Sequence, residues 1–176
     1  MTGKITKIKF TNFKRLGDFS VSAGSGNIFV GPNNSGKSSI LDAFRLLEAC
    51  LRHTKNIKPR LVSLDLGVFD GHDVPESVLP FHLNNSVTNY GNDGARIAFT
   101  HENGSIAYID IDRTLSVRFF VDANGKRLLS STKIREAFPI DLVIVPTLAP
   151  LESDEILVQP ETVRRNRSTR DRKSVV

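Results

Sequence analysis

Polar and apolar residues alternate along Lys4-Ile5-Thr6-Lys7-Ile8-Lys9-Phe10, the period-two pattern of a strand with one buried face. Asn12-Phe13-Lys14-Arg15-Leu16 then reads as a basic turn, and Gly17 to Ser22 as a second strand. Ala23-Gly24-Ser25-Gly26 is a tight connection into a short β-prone run, Asn27-Ile28-Phe29-Val30, that ends at Gly31. Past Gly36 the period changes. Between Ser39 and Ala49 the apolar residues fall at 40, 41, 43, 44, 46 and 47, which predicts one broad face of an α-helix beginning near Gly36.

The rest of the chain is more broken. From His53 to Gly94 it reads as loop-rich, with Pro59, Pro75, Pro80 and a polar cluster from Asn84 to Gly94. Ala95 to Leu129 predicts a β-meander. Arg96–Thr100 and Ile106–Ile111 flank a Glu102-Asn103-Gly104 turn, and Leu115–Val121 and Lys126–Leu129 flank Asp122-Ala123-Asn124-Gly125. Lys133 to Phe138 fits a helical turn or two, and Asp141 to Val145 a buried strand ending at Pro146.

Candidate chemistry concentrates between the third predicted strand and the helix. Gly31-Pro32-Asn33-Asn34-Ser35-Gly36-Lys37-Ser38 fits the phosphate-loop pattern G-x-x-x-x-G-K-[ST], in the strand–loop–helix setting the mechanism needs. Gly31 and Gly36 open backbone conformations that let successive N–H groups point at one anion. The helix start adds its unpaired N–H groups and positive dipole end. Lys37 is then expected to reach the β- and γ-phosphates of ATP and the Ser38 hydroxyl to ligate Mg²⁺, with Ser39 next to it among the nucleotide-binding residues.

Composition narrows the setting. The chain has 176 residues, 39% of them apolar and 24% charged, which is ordinary for one soluble globular domain. Its single cysteine, Cys50, cannot form an internal disulfide, and no leader or membrane-length apolar run occurs, so a cytoplasmic protein without membrane contact is expected. The net charge of +5 is uneven. From Glu161 onward there are six basic and two acidic residues; taking these from 24 and 19 leaves 18 against 17 for the body.

The segment ITKIKFTNFKRLGDFSV…NIFVGPNNSGKSSILDAF resembles the opening of ATPases with an ABC-type head, the SMC, RecF, double-strand-break-repair and OLD (overcoming-lysogenization-defect) families. Asn12-Phe13-Lys14 and Gly31 through Ala43 carry the resemblance, which covers about the first 50 residues; VPTLAPLESDE (145–155) and VRRNRSTR (163–170) are similar to segments of OLD-like bacterial AAA ATPases. The resemblance implies an α/β P-loop NTPase: the N-terminal lobe of an ABC-type head, with a mixed sheet and an antiparallel β-meander subdomain. On that basis residues 1–160 form the lobe, with 53–94 as an insertion and 95–130 as the meander, and 161–176 a basic tail that ends as if truncated. It also implies that Lys14 and Arg15 lie beside the nucleotide's base or phosphates, with Asn12 fixing their turn. The partners implied are ATP, DNA in the intact protein, and a second ATPase lobe or a homodimer.

Hydrolysis in this class needs a strand ending in an Mg²⁺-binding Asp followed by a catalytic Glu, and a signature loop. Asp110 and Asp112 instead alternate with Ile109 and Ile111 and are expected on the wet face of a strand, and Asp122 reads as part of a hairpin turn. Gln159, the chain's single glutamine, is a weak match to a Mg²⁺-sensing residue. Gly71-His72-Asp73 and His82 fit no standard metal spacing. Three readings stay open: an ATP–Mg²⁺ binding lobe of a DNA-associated repair or phage-defence ATPase, a nucleotide-dependent interaction lobe without turnover, and a nucleic-acid-binding module acting through the basic tail.

Overall fold

The computed structural model describes residues 3–55, 57–64, 67–83 and 94–144. The described residues up to Leu142 make one compact unit, and the fold is that unit's. Among the described residues are strands β1 (Ile5–Phe13) and β2 (Leu16–Ser22), helix α1 (Lys37–Thr54), strands β3 (Arg60–Leu64), β4 (Gly67–Val74), β5 (Ala95–His101), β6 (Ile106–Ile111), β7 (Val117–Ala123) and β8 (Lys126–Arg127), and helix α2 (Ser131–Ala137).

The strands join in the order β2-β1-β5-β6-β7-β4-β3, with β8 also on β7, and every described pairing is antiparallel. This differs from the mixed sheet expected. The run Asn27–Val30, which should supply a parallel strand, forms none, and Ile28 and Val30 are 89% and 86% exposed. A parallel strand needs neighbours on both sides, and no described segment is placed to give them. Asp141–Ile144 likewise carries no strand, and Val145 lies outside the described residues.

The strands of the expected meander join the opening hairpin in one sheet, because β1 pairs along β5 (Ile8↔Phe99, Phe10↔Ile97). The stretch read as loop-rich also holds a hairpin. β3 and β4 pair from Arg60↔Gly71 inward, between Pro59 and Pro75, which cannot donate to a ladder and so bound the pair. Two prolines had disguised two strands.

One face of the sheet supplies the core. Ile8 and Phe10 of β1, Ile97 and Phe99 of β5, Ile109 of β6 and Phe119 of β7 are buried in one cluster with Ile40, Ala43, Leu46, Leu47 and Cys50 of α1. Phe44 of α1 meets Phe99 with ring centroids 5.6 Å apart. Asn12 has a left-handed φ of 53°, which breaks the alternation so that Phe13, rather than residue 12, follows Phe10 into the core; their rings lie 6.2 Å apart. The β7–β8 turn is Asn124-Gly125, both at positive φ (51° and 71°), the preferred pair for a two-residue hairpin. No helix among the described residues is long and apolar enough to cross a membrane.

Candidate nucleotide-binding site

The glycine loop sits on the surface at the start of α1. Gly31 to Ser35 are exposed, and Pro32–Ser35 close a turn in which Ser35 N–H donates to Pro32 O at 3.4 Å. Asn34 (φ 73°) and Gly36 (φ 91°) take left-handed conformations, and Gly36 is the N-cap of α1. That cap brings no side-chain hydrogen bond, and the first turn holds no acidic residue. The positive end of an 18-residue helix therefore meets solvent without a counter-charge of its own. This fits a phosphate group.

Lys37 reaches back over the loop. Its Nζ donates to Gly31 O at 2.6 Å and Pro32 O at 2.7 Å, and approaches Ser35 Oγ at 3.3 Å. Ser38 is exposed beside it, whereas Ser39 is buried on the core side of the helix. An ammonium held by two loop carbonyls and a hydroxyl at an uncapped helix start is an arrangement an incoming polyphosphate can take over.

The β1–β2 hairpin braces the junction from the other side. Leu16, opposite Phe13 in the pairing, is buried against Gly36. Lys14, at φ 51°, forms an ion pair with Asp42 of α1, and its Nζ lies 4.1 Å from the centre of the Phe81 ring. Asp42 also takes Arg45 Nη1 at 3.0 Å. Arg15 is exposed and Asn12 half-buried at the base of the turn. Of the residues singled out by sequence, the loop 31–38 and Lys14 thus gather around the start of α1, with Lys14 held by a carboxylate. Asp42, Leu16 and Phe81 carry that arrangement and were missed. The only sequence signal for Asp42 is that it is the first acid after Lys37 on the helix.

The acids weighed for hydrolysis are otherwise engaged. Asp110 is 6% exposed and binds Arg96 through both oxygens, at 2.6 Å each. It is on the outer sheet face, as its alternation predicts, but dry rather than wet. Cross-strand neighbours cover it: Arg96 on β5 and Arg118 on β7 both stand opposite Asp110. The bonds to Asp110 push the Arg96 guanidinium still higher than usual. Asp122, at the end of β7 rather than in the turn, pairs with Arg127 of β8.

His72 is buried and donates Nε2–H to Ile57 O at 2.8 Å, and burial pushes its pKa down, so it is a neutral wall residue. His82 meets Glu76 at 3.2 Å on the surface. Cys50 is wholly buried, and desolvation drives its thiol pKa far up, leaving no reactive thiolate. Gln159 and the basic tail lie outside the described residues.

No curated protein matches the chain. The profile of the AAA ATPase domain matches residues 4–116, which run from the first strand through the glycine loop and α1 to the start of β7 and make up more than half of the 176 residues. The chain belongs to the AAA ATPase domain family.

Proposed function

We propose that this chain is the ATP–Mg²⁺ binding lobe of a cytoplasmic, DNA-associated ATPase of the OLD, RecF and SMC kind, of the repair or phage-defence type. The observation that carries the nucleotide part is the uncapped start of α1 beneath the Lys37 ammonium, in a family of ATPases. Backbone N–H groups of 33 to 38 would hold the phosphates, Lys37 would neutralise the γ-phosphate, and Ser38 would ligate Mg²⁺. Bound Mg²⁺ would supply charge neutralisation between the β- and γ-phosphates.

Turnover would draw on a second lobe from outside the described residues. Asp110 and Asp122 are each committed to an arginine, which leaves neither free to hold Mg²⁺. Ile28, Phe29 and Val30, exposed just before the loop, offer an apolar run that such a lobe could cover. The same observations favour a second reading, a nucleotide-dependent docking lobe that binds ATP without hydrolysing it.

The test is ATP affinity and turnover with Mg²⁺ for the wild type and Lys37→Ala. The expected result is binding by the wild type, at least about tenfold weaker in the variant, and no turnover by this chain alone. Equal affinity in the two proteins would refute the assignment of the loop. Turnover lost with Lys37 would restore Asp110 or Asp122 as a Mg²⁺ ligand and remove the need for a second lobe.

A further inference from the structure

The far end of α1 carries a second charged feature. From Ala49 to Leu64 the sequence contains four Lys or Arg residues (52, 55, 58 and 60) and no acid. Arg52 and His53 complement the negative end of the helix, and Arg52 is also bound to Glu48 at 3.6 Å. Lys55 is the C-cap residue of the same helix, whereas Lys58 and Arg60 lie beyond it.

Elsewhere on the sheet Arg96, Arg118 and Arg127 each have a carboxylate within ion-pair distance. Lys58 and Arg60 are exposed, and neither has such a partner among the described residues. Both line a half-open hollow of about 530 Å³, together with His53, Ile57 and His72. Its floor is fixed, because Ile57 O accepts from both His72 Nε2 at 2.8 Å and Ser131 Oγ at 2.5 Å, which holds the backbone that carries Lys58. Asp73 also lines the hollow, but its carboxylate is taken by Arg118 Nη1 at 2.6 Å.

We propose that this hollow is an anion site, distinct from the glycine loop, that takes a phosphate group. Lys58 and Arg60 supply the charge, and the half-buried His53 completes the rim. It lies about 24 Å from the loop, the rise of the 16 helical residues separating His53 from Lys37. A single nucleotide or short polyphosphate cannot fill both. The phosphate is that of a nucleic-acid backbone or of a free polyphosphate, since the hollow's open side admits either.

The site does not depend on the ATP assignment, and its test separates the two. Binding of a fluorescein-labelled DNA duplex and of inorganic tripolyphosphate is measured on the full chain in a Lys37→Ala background, with and without Lys58→Gln/Arg60→Gln. The basic tail is present in all proteins, so differences report on the hollow. The expected result is at least a tenfold loss of affinity for one probe. If that probe is the duplex, the slope of log affinity against log salt also falls by about 2, one phosphate contact for each cation removed. Loss for the duplex identifies a nucleic-acid backbone as the ligand, and loss for tripolyphosphate alone a free polyphosphate. Unchanged affinity for both overturns the proposal. Far-UV circular dichroism confirms folding, and Lys58→Arg, which keeps the charge, retains binding. ATP affinity with Lys37 intact is unchanged by the double substitution.

Discussion

A methyl group on Gly36 would stand 2.8 Å from Leu16 Cδ2, closer than real side chains approach. Gly36 is also at φ 91°, a conformation that costs a residue with a Cβ of order 1–3 kcal/mol. The two constraints are separable. Gly36→Ala is expected to lower stability and ATP affinity together; adding Leu16→Ala removes the clash but not the backbone cost, so only part of the loss returns. Urea denaturation and nucleotide titration of the three proteins check this. Full rescue by Leu16→Ala would mean that the backbone conformation at Gly36 is not strained.

Lys14 and Asp42 tie the β1–β2 hairpin to α1, with side chains only 21% and 15% exposed. The expectation from family resemblance was a nucleotide contact for Lys14, and the ion pair gives it a bracing role in the structure described. Lys14→Ala and Asp42→Ala are expected to be non-additive in unfolding free energy, with a coupling of about 0.5–3 kcal/mol in a double-mutant cycle. Additive losses would show that the pair contributes nothing to the brace. Arg45, which shares Asp42, stays unchanged in the cycle.

Asp110 stands opposite Arg96 on one side and Arg118 on the other, and Asp73 of β4 stands opposite Arg118, so charge alternates across four strands. Removing Asp110 takes from Arg96 the carboxylate that binds it through both oxygens, while Arg118 keeps Asp73. Because Arg96 is 41% exposed, solvent softens the cost, and Asp110→Ala is expected to lose about 1–3 kcal/mol of stability. ATP affinity should not change. A stable protein with altered Mg²⁺ dependence would instead place Asp110 in the nucleotide chemistry.

Burial holds the His72 pKa below its ordinary value of 6.5, while an unfolded chain titrates near that value. Above it both states are neutral and His72 adds no pH dependence. As pH falls through 6.5 the unfolded state takes up a proton first, so stability declines toward the lower folded pKa, by at most about 1.4 kcal/mol per pH unit. Replacing His72 with Gln is expected to flatten that part of the stability profile, measured by denaturation between pH 5 and 7. An unchanged slope would assign it to other groups.

The parts of the fold legible in the sequence are those whose pattern is local. The spacing of Ile40, Ala43, Leu46 and Leu47 gives the buried face of α1, and Asn124-Gly125 gives its turn, because neither depends on a distant segment. The illegible parts depend on partners. Asn27–Val30 and Asp141–Val145 look like buried strands by composition, yet burial of a strand is decided by its neighbours, and the described residues supply none for 27–30. Lys14 reads as a solvated or nucleotide-facing cation until Asp42, 28 residues later, is brought beside it. Asp110 reads as wet because alternation reports the face of a strand, not what lies across it.

Lys9 pairs with Ala98, 89 residues further along, and the core that receives α1 includes Phe99. At a synthesis rate of about 5–20 residues per second, roughly 4–18 s separate the emergence of β1 from that of its partner. The glycine loop and its helix are therefore made well before the strand they are to rest on. During that interval only local pairings, the β1–β2 and β3–β4 hairpins, can form, and the apolar face of α1 must wait for β5. The order of translation makes the glycine loop, though made early, one of the last parts of this chain to gain its support.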